Sequence, residues 1–262
     1  MTLVFIDMLG VRDKWAKNGR QGAEDAFKKF RNLIAHSLRA IPPEEILGGV
    51  IETDAVIIRC ASTNSALKFA KTIYTDAFEQ TIDNENNRIW LRGVIIPQKA
   101  DDLMRWEKSL NKPYDQVKLM LYNNDLFDAI ALEKSGIKGM RLIVDKDLIT
   151  EKVRKDWIIK IGEFNFITLK KLRNSSYPSQ LTDKYYDFLW MATGDEEQNQ
   201  TLDRTMALRL RKSASSSEEF LQAAATQLLF HEYAAMLGTL QKKLYFQAQK
   251  RLKRQKSDEA KL

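Results

Sequence analysis

The chain has 262 residues, 44% of them apolar and 29% charged, which suits a soluble globular fold and excludes a disordered one. Of its net charge of +7, six units come from the segment after residue 241, where eight Lys or Arg face only Asp258 and Glu259. The remainder is close to neutral, so the basic tail reads as a solvated helix end and argues against a nucleic-acid binder. The single cysteine, Cys60, excludes an intramolecular disulfide and a cysteine-rich zinc site, and its apolar neighbours mark it as buried filler. No apolar run approaches the roughly 18 residues of a membrane span, and no basic region precedes the first strand as in a signal peptide. A cytoplasmic location is therefore expected.

In chain order, residues 3–8 read as a buried strand, followed by a polar loop through Gly10, Asn18, Gly19 and Gly22. Ala23, Phe27, Phe30, Ile34 and Leu38 recur at helical spacing and predict a helix over about 22–40, ended by Pro42 and Pro43. Residues 46–52 and 54–60 read as two strands around a tight turn at Glu52-Thr53-Asp54. A second amphipathic helix is expected over about 63–82, then a strand at 88–97 containing Leu91-Arg92-Gly93. The charged stretch 99–118 reads as a loop or short helix, with a helix at about 124–134 and a strand at 140–145 beyond it. A hairpin follows over 157–172, turning at Gly162-Glu163. Past Pro178 the pattern becomes helical, at about 181–193, 200–212 and 217–250. The whole predicts an α/β (α+β) fold with a ferredoxin-like βαββαβ core over 3–172 and a helical extension over 178–262.

Two aspartates stand out. Asp7 ends the run Leu3-Val4-Phe5-Ile6, and Asp54 occupies the tip of the first hairpin, next to Ala55-Val56-Ile57-Ile58. A carboxylate beside a buried strand is costly to desolvate unless something pairs with it. Two that converge across neighbouring strands suit a divalent cation, commonly magnesium with a nucleoside triphosphate. The alternative for each is a turn aspartate or helix cap. Glu52 reads as structural, and His36 and His231 as surface or packing residues on separate helices. The chain has no Gly-x-Ser-x-Gly elbow, no His-Glu-x-x-His and no Gly-x-x-x-x-Gly-Lys loop, which leaves hydrolase and P-loop readings without a motif.

The order Phe5-Ile6-Asp7-Met8-Leu9-Gly10, helix, Thr53-Asp54-Ala55 between two strands, helix, then Leu91-Arg92-Gly93 resembles a class III nucleotide cyclase catalytic domain. Its placement at the very N-terminus looks most like bacterial Pycsar-type pyrimidine cyclases. The resemblance covers about residues 3–170. It implies two magnesium or manganese ions on Asp7, Asp54 and the backbone carbonyl of Met8, and a triphosphate cradled by Leu9, Gly10 and Val11. It also implies a homodimer with composite sites, and a cyclic pyrimidine nucleotide as a second messenger in defence against phage. The family's Asn-x-x-x-Arg positions fall on Phe127 and Ala131, which neither donate a hydrogen bond nor carry charge. The purine-reading positions fall near Val50 and Met120, which fits a smaller base such as uracil or cytosine, with Thr53 beside the site. Arg12 and Arg92 are the candidates for the missing cation, with Lys170 a further one. A palm-type polymerase relative and a catalytically degenerate nucleotide- or partner-binding protein are the competing readings.

Overall fold

A computed structural model describes residues 1–83, 89–98, 104–107, 118–121, 139–149, 158–161, 164–168, 184–191 and 222–226. Strand β1 (Thr2–Leu9) runs into helix α1 (Val11–Arg39), and strands β2 (Ile46–Ile51) and β3 (Ala55–Cys60) form the first hairpin. Helix α2 (Thr63–Asp83) leads to β4 (Trp90–Pro97), closing a βαββαβ unit. Further along lie β5 (Met104–Glu107), β6 (Lys118–Leu121), β7 (Leu142–Asp145), β8 (Ile158–Ile161), β9 (Phe164–Thr168) and β10 (Tyr185–Phe188). Eight strands form one mixed sheet in the order β2-β3-β1-β4-β7-β10-β9-β8, while β5 and β6 pair separately. β1 is antiparallel to both β3 and β4, and β4 runs parallel to β7. The mixed α/β architecture is the expected one.

β1 lies inside the sheet, and its side chains alternate between two faces. Val4, Ile6 and Met8 join Val56, Ile58 and Leu91 in the main core, beneath Phe30 and Ile34 of α1 and Phe69, Ile73 and Phe78 of α2. Each such side chain contributes about 2 kcal/mol on burial. Trp190, just after β10, closes this core with its ring 5.4 Å from Tyr74 and 5.8 Å from Phe78, and its indole N–H donates to the Met140 carbonyl. Cys60 is buried here as expected, and burial, helped by nearby Glu45, pushes its thiol up to about 12.

Three expectations change. Residues 11–18 are helical rather than loop, because α1 starts directly after Gly10; the anticipated break survives as a kink at Gly19, at φ 62° and ψ −157°. Gly22 lets the two arms meet, since a Cβ there would lie 2.5 Å from the Asn18 Cβ. The stretch 99–118 is not simply loop or helix: it carries β5 and the start of β6, paired from Met104 opposite Leu121 to Glu107 opposite Lys118. Within the span 181–193 the described residues 184–191 are not helical, because Tyr185–Phe188 form β10 between β7 and β9. Tyr185–Phe188 therefore belong to the same sheet as β1–β4. The expected helices at 124–134 and 200–212 lie outside the described residues, and of 217–250 only 222–226 are described, as helix. That segment is tied to the core where the Gln222 side chain accepts from Gly139 N–H at 2.6 Å and the Thr226 hydroxyl oxygen accepts from Met140 N–H at 2.8 Å.

The close contact of β4 with β1 depends on Gly93, where an added Cβ would press on the Phe5 carbonyl and lie 3.1 Å from both Ile6 Cγ1 and Leu142 Cδ1. Gly93→Ala is expected to cost about 1–3 kcal/mol by overpacking, read as a lower urea midpoint with an unchanged slope.

Candidate metal and nucleotide site

The site lies where β1 ends. Asp7 stands opposite Ala55 of β3 on one side and Arg92 of β4 on the other. By alternation its side chain leaves the face that Ile6 and Met8 give to the core. Met8 N–H donates to the Asp54 carbonyl at 2.7 Å, which locks the hairpin tip against the strand end. Because the N–H and C=O of one extended residue point to the same side, the Met8 carbonyl also faces that tip. Asp54 is half-buried there, and its carboxylate accepts a 3.2 Å hydrogen bond from the exposed Thr53 hydroxyl. Glu52 closes the turn by donating its N–H to the Ala55 carbonyl at 2.8 Å, with its side chain exposed. Asp7 and the Asp54 hairpin tip are thus neighbours along the backbone of adjacent strands.

Gly10 follows at φ 80°, the left-handed conformation that turns the strand abruptly into α1. No side chain caps the helix, and Lys14 N–H is the donor that bonds back to the Gly10 carbonyl, at 3.1 Å. The N–H groups of Val11, Arg12 and Asp13 precede that bond and have no partner within the helix. A helix start of this kind favours an anion. The electropositive helix end therefore follows directly on the strand that carries Asp7.

The Arg92 guanidinium lies 3.9 Å from the Asp7 carboxylate, with side-chain exposures of 14% and 23%, so the pair is only partly screened by solvent. Arg141 is its neighbour across β4 and β7, because Gly93 stands opposite Leu142. Arg141 in turn holds Asp187 of β10 at 3.1 Å, and Asp187 is fully buried. The Arg141 carbonyl accepts from Gly93 N–H at 3.0 Å and from the Tyr74 hydroxyl at 2.9 Å. Burial raises the Tyr74 phenol well above its ordinary value; Arg92 opposes the shift, and Asp187 and Asp7 add to it. Tyr74 therefore remains a protonated donor.

Arg141 and Asp187 were not singled out from the sequence. The signal that marks Asp7, a carboxylate set in an apolar run, is equally present in Tyr185-Tyr186-Asp187-Phe188-Leu189-Trp190. Among the residues that were singled out, Val50 is half-buried in β2 opposite Ile57, and Met120 lies on β6 opposite Arg105. Arg12 lies in the first turn of α1, and its side chain lies outside the described residues, as do Phe127, Ala131, Lys170 and His231. His36 pairs with Asp76 of α2 at 2.6 Å on the surface, away from these groups in the fold.

No cluster of three or more His, Cys, Asp or Glu side chains with metal-binding geometry occurs among the described residues. Asp7, Asp54 and the Met8 carbonyl offer hard oxygens only, the donor type that suits magnesium or manganese. Among the described residues no helix is long and apolar enough to cross a membrane.

Solved structures similar to this chain are cyclase catalytic domains. The guanylate cyclase domain of RhGC from Catenaria anguillulae, solved in complex with GTP, is 12% identical, with a TM-score of 0.49 over 71% of this chain and 94% of that domain. An adenylate cyclase from Trypanosoma brucei in its monomeric state is 15% identical, with a TM-score of 0.48 over 74% of this chain and 91% of that one. The guanylyl cyclase Cya2 is 10% identical, with a TM-score of 0.43 over 71% of this chain and 89% of that one. Such likeness does not decide the reaction of this chain. No family model and no curated protein matches it.

Because a Cβ at Gly10 would meet nothing within 4 Å, Gly10→Ala tests the backbone turn by itself. The expected loss is about 1–2 kcal/mol in chemical denaturation, with Gly10→Asn less affected.

Proposed function

We propose that this protein is a nucleotide cyclase that converts UTP or CTP to the 3′,5′-cyclic monophosphate and pyrophosphate. The observation that carries the reading is the juncture of Asp7, the Asp54 hairpin tip and the uncapped start of α1. Asp7, Asp54 and the Met8 carbonyl would hold magnesium or manganese, which supplies acidification of the ribose 3′-hydroxyl and neutralisation of phosphate charge. The turn Leu9-Gly10-Val11 and the first N–H groups of α1 bind and orient the triphosphate. Arg92 places a partly buried positive charge beside the acid pair, where charge develops on the α-phosphoryl oxygens. Arg12 occupies the first turn beside the phosphates.

The pyrimidine assignment is supported by the sequence alone: Val50 and Met120 stand near positions that read purines in the resembling family, and neither forms a hydrogen bond to a base through its side chain. Thr53 adds a hydroxyl at the hairpin tip. The working unit in this reading is a homodimer with composite sites, in which Arg12 and Arg92 stand in for the cation that Phe127 and Ala131 do not provide. The cyclic nucleotide would serve as a messenger in antiphage defence. Phe127 and Ala131 also favour a second reading, nucleotide binding without turnover.

Incubation of the pure protein with each of the four ribonucleoside triphosphates and manganese, followed by mass analysis, tests the proposal. The expected product is cyclic UMP or cyclic CMP, with Asp7→Asn and Asp54→Asn each lowering turnover at least about 100-fold. No product from any triphosphate leaves the binding reading, and oligonucleotide products point to a palm-type polymerase.

A further inference from the structure

We propose that Arg92 is an internal counter-cation for Asp7 and that a divalent cation must displace it, so metal binding at Asp7 turns the Arg92 guanidinium toward an anionic ligand. This inference rests on the reading of Asp7 as a metal ligand and concerns how that site is controlled.

The geometry is that of an exchangeable pair. The guanidinium and carboxylate are 3.9 Å apart, close enough for strong attraction and too far for a direct hydrogen bond. They stand opposite each other on neighbouring strands. Partial burial keeps the attraction from being screened away, and a divalent cation arriving at Asp7 meets the same positive charge at short range.

The neighbouring strands set the direction of release. Across β1, β4, the residue entering β7, and β10, the charges follow the order Asp7, Arg92, Arg141, Asp187. The two arginines are adjacent in register, and like charges so placed repel. Asp187 is buried and fixes Arg141 at 3.1 Å, which anchors the far half of the row. Once a cation neutralises Asp7, Arg92 is repelled by that cation on one side and by Arg141 on the other. A polyphosphate bound at the start of α1 offers the negative charge that relieves both. The bare site therefore disfavours metal without anion, and metal and polyphosphate enter as a pair.

The test is manganese binding without nucleotide, followed by the loss of the free-ion electron paramagnetic resonance signal. It compares wild type with Arg92→Gln, Arg92→Met, Arg92→Lys and Asp7→Asn, each first shown to melt cooperatively. Arg92→Met keeps an unbranched apolar stem, so a packing defect in the glutamine variant does not end the test. The expected result is about tenfold tighter manganese binding in Arg92→Gln and Arg92→Met, about 1.4 kcal/mol. Arg92→Lys should stay within about twofold of wild type, and Asp7→Asn should lose the site. Equal or weaker binding in both neutral variants, with wild type binding manganese, overturns the exchange and leaves the cyclase reading standing. Failure of wild type and all variants to bind manganese overturns both.

Discussion

Everything at the candidate site depends on the register of β1 between β3 and β4. Within an extended strand, a shift of one residue sends every side chain to the opposite face. Val4, Ile6 and Met8 are committed to the core beneath α1 and α2, so Asp7 is committed to the other face. The same register brings Ala55 opposite Asp7, seats the Asp54 carbonyl on Met8 N–H, and sets Arg92 on the far side. The burial of a few aliphatic and aromatic side chains thus determines where a carboxylate is presented. A slip that moved Asp7 inward would bury an ion in that core, at a cost of several kcal/mol.

The charges around β1 are arranged at the cost of desolvation, and each is met by a neighbour. Asp7 faces Arg92, Arg141 holds Asp187, and Tyr74 on α2 reaches the Arg141 carbonyl through its hydroxyl. These contacts link the helix layer, the sheet and the far strand β10 to the site. Gly10 then turns the chain so that the positive end of α1 begins four residues after Asp7. In the proposed reading, oxygen donors for a cation and N–H donors for an anion come from neighbouring residues of one strand–helix junction. That economy explains why so short a sequence segment carries so much of the chemistry.

The first half of the fold was legible because each element carries its own signal. The apolar run of β1, the helical spacing from Ala23 to Leu38 and the two runs flanking Thr53-Asp54 each allow only one reading of their type. The second half was less so. Residues 185–191 form a short apolar run in which strand and helix patterns are indistinguishable, and the strand form prevails through pairing with β7 and β9, a non-local contact. Residues 104–107 alternate apolar and polar, a genuine strand signal hidden by its brevity and the surrounding charge. The first arm of α1 was hidden because Val11 is half-exposed and Trp15 exposed, so it lacks a fully buried stripe. In the site, Asp7, Asp54 and Arg92 were legible individually, whereas the row that joins Arg92 to Arg141 and Asp187 exists only through sheet order.

The central claim is that Asp7, the Asp54 hairpin tip and the start of α1 form one ligand site. The most direct measurement is amide nuclear magnetic resonance of the labelled protein during titration with manganese and a non-hydrolysable UTP analogue. Paramagnetic broadening is expected first and together at residues 7–13 and 53–55, and to disappear in Asp54→Asn. Broadening that begins elsewhere, or that reaches one of these segments without the other, would contradict the account.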